Sequence, residues 1–173
     1  VTFWRSIGSP TKFNLLEFGA GNGEMMKVIV ETLKNFPECF LNCNFQIHEK
    51  SELLKKKQQL NLKSEKITWI KDIKINNSFP TIFLANEFFD ALPIRQFFKR
   101  KEVWFERFVD LNGEKKAEFK EQPVDIKDIE HDVNFEISKD QEIIEYSPGS
   151  FEYLKYICNL IKKNDGGILI IDY

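Results

Sequence analysis

The sequence predicts an α/β fold, a parallel core sheet with helices on both faces and an antiparallel β insertion. Short apolar runs alternate with stretches of helical periodicity, the pattern that builds parallel sheets. Three glycines at alternate positions, Gly19, Gly21 and Gly23, stand between the first strand and the first helix, where the chain must turn sharply. After Pro93 the pattern changes to closely spaced strands around Asn112-Gly113, a hairpin signal.

Asn14 to Phe18 is the first strand and runs into Gly19-Ala20-Gly21-Asn22-Gly23. A helix follows with Met25, Val28, Ile29 and Leu33 on one face, and Pro37 ends it. Asn44 to His48 is the second strand, and Ser51 caps a charged helix that runs to Leu62. Ile67 to Ile70 is the third strand. Thr81 to Ala85 is the fourth, apolar throughout as a strand covered on both faces should be. Phe3 and Trp4 are expected to pack an N-terminal helix on this sheet.

Gln96 to Lys99, Glu102 to Asp110 and Lys115 to Lys120 follow as strands, the last two joined by a type I′ turn at Asn112-Gly113. Trp104 and Phe108 share one face of the middle strand and read as core contacts or as contacts of a homodimer. Residues 121–148 read as irregular, with two short strands around Val133 to Ile137 and Glu142 to Glu145. Ser150 caps an amphipathic helix carrying Phe151, Leu154, Ile157, Cys158 and Ile161. Asp165-Gly166-Gly167 stops that helix, and Ile168 to Ile171 forms a last buried strand. Residues 1–173 thus read as one domain with an insertion over about 95–148. The stop at Asp172-Tyr173, directly after a core strand, reads as that of a fragment lacking later strands.

Composition narrows the function. The formal net charge is -2 and both signs are interspersed, so no basic face is on offer to nucleic acid or to an anionic membrane. No apolar run approaches the ~20 residues of a membrane-spanning helix. Cys39, Cys43 and Cys158 are too few for a disulfide framework. With His48 as the nearest further ligand, Cys39 and Cys43 do not complete a zinc set either, so the cysteines read as free thiols and no metal is expected. His131 lies in a polar stretch, and neither histidine has the company of a nucleophilic triad.

Chemistry concentrates after the strands. A pyrophosphate-binding turn would space its glycines G-x-G-x-x-G, whereas this chain has G-x-G-x-G preceded by Glu17. Glu49 follows the second strand, where an acid can accept two hydrogen bonds from ribose hydroxyls, and Asp72 after the third strand stands where an adenine amino group could be met. Asn86, Glu87 and Asp90 follow the fourth strand. Two carboxylates so placed could hold a guanidinium through bidentate, charge-assisted bonds. The alternative for Asp90 is a turn cap before Pro93, with Phe88 and Phe89 filling the core.

The glycine turn resembles motif I of Rossmann-type methyltransferases, which implies that Gly19, Gly21 and Gly23 cradle the amino-acid part of S-adenosylmethionine and that Glu17 acts near its ammonium group. The resemblance sharpens when four strings are taken in order: Leu16 to Gly23, His48-Glu49-Lys50-Ser51 with Gln58 nine residues after Glu49, Ala85 to Phe97 (ANEFFDALPIRQF), and Gly166-Gly167 to Asp172-Tyr173. Together they are similar to the MidA-like family of mitochondrial and bacterial methyltransferases, over essentially the whole chain. The family implies a Rossmann-type class I methyltransferase fold and S-adenosylmethionine as cofactor. It also implies a protein substrate methylated on arginine, a complex I subunit in the mitochondrial case, with Asn86, Glu87 and Asp90 orienting the acceptor. The compartment so implied is the mitochondrial matrix or the bacterial cytoplasm. The sequence departs from the family at Ala20, where proline is usual, and family members extend beyond both ends of this chain. Three other readings stay open at this point: a non-catalytic assembly factor that keeps the fold, a truncated remnant, and a nicotinamide-dependent oxidoreductase, against which the glycine spacing speaks.

Overall fold

A computed structural model describes residues 1–63, 66–73 and 78–173. In chain order the elements are α1 (Thr2–Ser6), β1 (Phe13–Phe18), α2 (Glu24–Leu33), α3 (Pro37–Asn42), β2 (Cys43–His48), α4 (Glu52–Leu62), β3 (Ile67–Ile70) and β4 (Thr81–Asn86). They continue with β5 (Arg95–Arg100), β6 (Val103–Leu111), β7 (Ala117–Val124), α5 (Ile126–Val133), β8 (Ile143–Tyr146), α6 (Pro148–Asn164) and β9 (Gly166–Ile171). Two compact units result: residues 1–91 with 153–173, and residues 92–152. No described helix is long and apolar enough to cross a membrane.

The first unit holds a parallel sheet in the order β3-β2-β1-β4-β9. β1 lies at its centre and all six of its residues are buried, as a strand covered on both faces requires. Its one buried amide is matched: Asn14 Nδ2 donates to Thr81 Oγ1 at 3.3 Å, and Asn44 Nδ2 donates to Asn14 Oδ1 at 3.2 Å. Successive strands step one way from β1 to β3 and the other way to β4. The strand order therefore reverses between β1 and β4, and a crevice opens at the carboxyl ends of these two strands. One core cluster joins Trp4, Phe13 and Leu15 to Met26, Val30 and Leu33 of α2 and to Phe45 and Ile47 of β2.

Five expectations for this unit and for the start of α6 are corrected. The buried stripe of α2 is Met26, Val30 and Leu33, one residue round from the expected face, and Val28 is 63% exposed. Both stripes have helical spacing, so periodicity alone could not separate them. Pro37 does not end α2; it opens α3 at the first helical position, where its missing N–H costs nothing. At the start of α6 the Ser147 hydroxyl accepts from Ser150 N–H at 3.2 Å, so Ser147 takes the capping role expected of Ser150. The buried face of α6 is centred on Tyr153 and Ile157, while Phe151 and Cys158 are exposed. Finally, Ile168 to Ile171 is no buried strand: β9 is an edge strand, and Leu169, Ile170 and Ile171 are exposed.

The second unit is an antiparallel sheet in the order β7-β6-β5-β8. Residues 126–133, expected to be irregular, form α5, capped by the Asp125 side chain, which accepts from Lys127 N–H. Val133 closes that helix and starts no strand, and the second expected short strand is β8. Ile129 and Val133 pack with Phe97, Trp104, Ile137 and Tyr146 into a core of the unit's own, and Phe108 is 38% exposed. The β6–β7 turn is also not type I′. Lys115 N–H donates to the Asn112 carbonyl, Lys115 carries the positive φ of 60°, and the Asn112 side chain accepts from Glu114 and Lys116 N–H. Those side-chain bonds favour a longer loop that ends in one left-handed residue. Arg95 ties this unit together. Its guanidinium forks onto Glu106 at 2.8 and 2.9 Å and bonds Asp132 at 2.8 Å and the Tyr146 hydroxyl at 2.9 Å.

Candidate active site

The turn after β1 makes its geometry from glycine. Gly19 and Gly21 hold φ of 59° and 53°, a region that costs side-chain-bearing residues energy. A Cβ on Gly19 would lie 2.9 Å from the Phe88 ring, so that position also needs glycine for space. A Cβ on Gly21 would meet nothing within 4 Å, which leaves the outer side of the turn open to a ligand. Gly23 starts α2 and faces inward, against Leu62 and Gln58 of α4. The open side belongs to a cleft of about 400 Å³, lined by Glu17, residues 19–22, Glu24 and Met25 at the head of α2, and Asn86 and Glu87 beyond β4.

Glu17 is the unusual group in this cleft. It is 2% exposed, and its carboxylate faces the first turn of α2, where Met26 N–H bonds to it. Its Oε2 has no partner among the described residues. Burial pushes its pKa up to about 7. A buried carboxylate oxygen without a donor is costly, and a cation with N–H groups to give would relieve that cost.

Glu49 stands beyond β2 with both oxygens engaged: Oε1 accepts from Ser51 N–H at 2.8 Å and Oε2 from Gln58 Nε2 at 3.0 Å. Each oxygen keeps a further lone pair for a hydroxyl. Asp72 is exposed just past β3 and does not line the cleft, and neither do the buried Gly23 and the half-buried Glu49.

Asn86 ends β4 and Glu87 leaves it in the left-handed region, at φ 48°. Glu87 N–H donates to the Ile171 carbonyl at 2.9 Å, and its Oε1 accepts from Tyr173 N–H at 3.1 Å, so this strained corner is held by β9 and the residues after it. Asp90 and Asp172 join it: oxygens of Glu87, Asp90 and Asp172 all lie within 4.8 Å of one another. Three carboxylates so close favour a cation between them. Phe88 packs beneath, its ring centroid 5.2 Å from that of Phe18 and 5.1 Å from that of Tyr153, and Phe88 and Phe89 are both half-buried.

Asp172 and the buried His48 were not legible as neighbours of this site. His48 Nε2 lies 2.9 Å from the Tyr153 hydroxyl, and burial, reinforced by Lys50, holds its pKa below the ordinary histidine value. Asp172 reaches the cluster only because β9 pairs with β4, and Tyr153 reaches His48 only because α6 packs over the sheet. A spacing rule has no access to either contact.

A crevice at the strand-order reversal, a G-x-G-x-G turn and a buried acid before it are the features of a nucleotide-type cofactor site. The family model for S-adenosyl-L-methionine-dependent methyltransferases matches residues 1–173. The chain belongs to this family. Among relatives, the human mitochondrial protein arginine methyltransferase NDUFAF7 is 29% identical over 136 residues, covering 65% of this chain and 31% of the relative. The rat protein of that name is 26% identical over 199 residues, covering 100% of this chain and 45% of its own length. The methyltransferase fold is seen in a solved COG1565 superfamily structure from Burkholderia thailandensis bound to S-adenosyl-homocysteine. It matches with a TM-score of 0.71 at 19% identity, over 90% of this chain and 41% of that one. A native structure of a COG1565 superfamily protein from Burkholderia thailandensis gives 0.70 at 18% identity, over 90% and 42%. The chain spans less than half the length of these relatives. The expected resemblance is thereby borne out for family, fold and cofactor.

Proposed function

We propose that this chain carries the cofactor half and part of the acceptor half of a protein methyltransferase that acts on arginine. The observation that carries the reading is the cleft itself, with the unpartnered Glu17 oxygen at one wall and the Glu87, Asp90 and Asp172 carboxylates where β4 and β9 end. S-adenosylmethionine fits the first of these, because its ammonium group supplies the donors that Glu17 lacks. When bound, it supplies a methyl group on a sulfonium, a leaving group already activated, so the protein's task is alignment and exclusion of water.

In this reading the outer face of the turn at Gly19 and Gly21 seats the amino-acid end, with Gly23 fixing the turn from behind. Glu49 accepts from the ribose, and Asp72 meets the adenine amino group. Asn86, Glu87 and Asp90, joined by Asp172, hold the guanidinium. Their carboxylates draw its charge toward two nitrogens, leave the third more nucleophilic, and take up the proton released once that nitrogen is alkylated. Arginine is supported by the acid cluster and by the relatives' names. A respiratory complex I subunit as substrate, in the mitochondrial matrix or its bacterial counterpart, follows from the family resemblance.

The test is calorimetric titration of the chain with S-adenosylmethionine, with NAD as control. Saturable binding of the first alone is expected, and Glu49→Ala should weaken it by about 1.5–3 kcal/mol, the scale of hydrogen bonds to a charged group. A folded chain that binds neither would overturn the cofactor reading. Binding that Glu49→Ala leaves unchanged would remove the ribose assignment. Binding without methylation of arginine peptides would favour a scaffold that keeps the fold.

A further inference from the structure

Gln58 is an uncharged polar residue on α4 with no exposure at all, and its amide is fully used. Its Nε2 donates to the Gly21 carbonyl at 2.9 Å and to Glu49 Oε2 at 3.0 Å, and its Oε1 accepts from the Trp69 indole N–H at 2.8 Å. An indole N–H can only donate, so the Trp69 contact admits one orientation of the amide. Turned over, it would set donor against donor at Trp69 and acceptor against acceptor at both other partners.

The two groups that Gln58 grips come from opposite halves of the candidate site. Gly21 is the open corner of the glycine turn after β1, and Glu49 is the acid after β2. Packing does not explain the amide. Beside Gln58, the wholly apolar Leu62 also lies against Gly23, and a methionine at 58 would fill the same volume without a buried polar group to satisfy. What the amide does is aim a carbonyl and a carboxylate at fixed angles from one anchor.

We infer that Gln58 is a positioning residue for the cofactor, one buried amide that sets the glycine turn and the Glu49 carboxylate together, with the Trp69 indole fixing which way it faces. The inference rests on the reading of the cleft as the S-adenosylmethionine site. It implies that Gln58 and Glu49 act as a unit, so their losses do not multiply.

The experiment is calorimetric titration of the chain with S-adenosylhomocysteine for wild type, Gln58→Met, Glu49→Ala, the double variant and Trp69→Phe, with the thermal midpoint of each measured without ligand. Gln58→Met is expected to weaken binding about ten- to hundredfold. The double variant should be little weaker than the worse single one. Trp69→Phe should weaken binding several-fold although the indole N–H it removes donates to Gln58 and not to the turn or Glu49. Gln58→Met binding within twofold of wild type would overturn the inference, as would singles whose effects multiply. If Gln58→Met does not fold, Trp69→Phe decides, and unchanged affinity there overturns it. A wild-type chain that binds nothing overturns the cofactor reading itself, a failure distinct from that of Gln58.

Discussion

In the parallel-sheet unit a buried carboxylate, Glu17, keeps one oxygen without a partner among the described residues, whereas in the antiparallel unit the charged cluster around Arg95 is paired on every side. Glu106 takes two guanidinium bonds, and Asp132 takes one from Arg95 and one from the Tyr146 hydroxyl at 2.8 Å. The Arg95 guanidinium also lies over the Phe97 and Tyr146 rings. The difference separates two uses of polar side chains. A closed network specifies a fold, while an unmet acceptor in a cleft is strain that a ligand can relieve.

Substitutions test that contrast, the largest effect first. Gly166→Ala should cost on the order of 4 kcal/mol or prevent folding. Gly166 sits at φ 133°, and a Cβ would stand 2.1 Å from the Thr81 carbonyl oxygen, breaking the register of β9 on β4. A thermal midpoint within a few degrees of wild type would show that this pairing yields. Arg95→Met should cost about 2 kcal/mol in chemical denaturation, below the cost of breaking a fully buried pair because the Arg95 side chain is 37% exposed. The loss should shrink when Glu106→Gln is made first; equal loss in both backgrounds would break the picture of a network.

Glu17 should act with the opposite sign. Its folded pKa of about 7 lies above the ordinary 4.5, so the folded chain holds a proton that the unfolded chain has released. The stability tied to that proton is fully present below pH 4.5 and is lost as pH rises through 7, an amount on the order of 3 kcal/mol without ligand. Glu17→Gln should flatten this decline while weakening cofactor binding at pH 8. A denaturation series in which the two chains lose stability in parallel would place the proton elsewhere. The smallest effect belongs to Asp125→Ala, about 1 kcal/mol from the lost cap of α5, read by faster hydrogen exchange in that helix.

What was legible in the sequence follows the same division. The strands of the parallel sheet stood out as short apolar runs between stretches of helical period, and Gly19, Gly21 and Gly23 marked the turn. α5 was hidden because Ile126, Ile129 and Val133 are separated by Lys, Asp, Glu and His over only eight residues, too short a window for its period to rise above a polar background. In the site, Glu17, Glu49 and Glu87 could be named because each follows or ends a strand. Their environments could not. The desolvation of Glu17, the bond from Gln58 to Gly21 and the approach of Asp172 to Glu87 join positions far apart in the chain, and the sheet order had to be known first.

The pairing of Arg95 with Tyr146 bears on how this chain folds. β4 and β9 are neighbours in the sheet, yet the whole of residues 92–152 lies between them in sequence. That segment brings its own two ends together, since the first residue of β5 pairs with the last of β8, and Leu92 lies close to Gly149. Once folded it acts as a clasp, and β9 reaches β4 across a much shorter effective loop, each halving of which saves about 0.6 kcal/mol of closure entropy. The antiparallel unit thereby makes the last and least local step of sheet assembly a nearly local one, which places its formation before that step on the fastest route to the native fold.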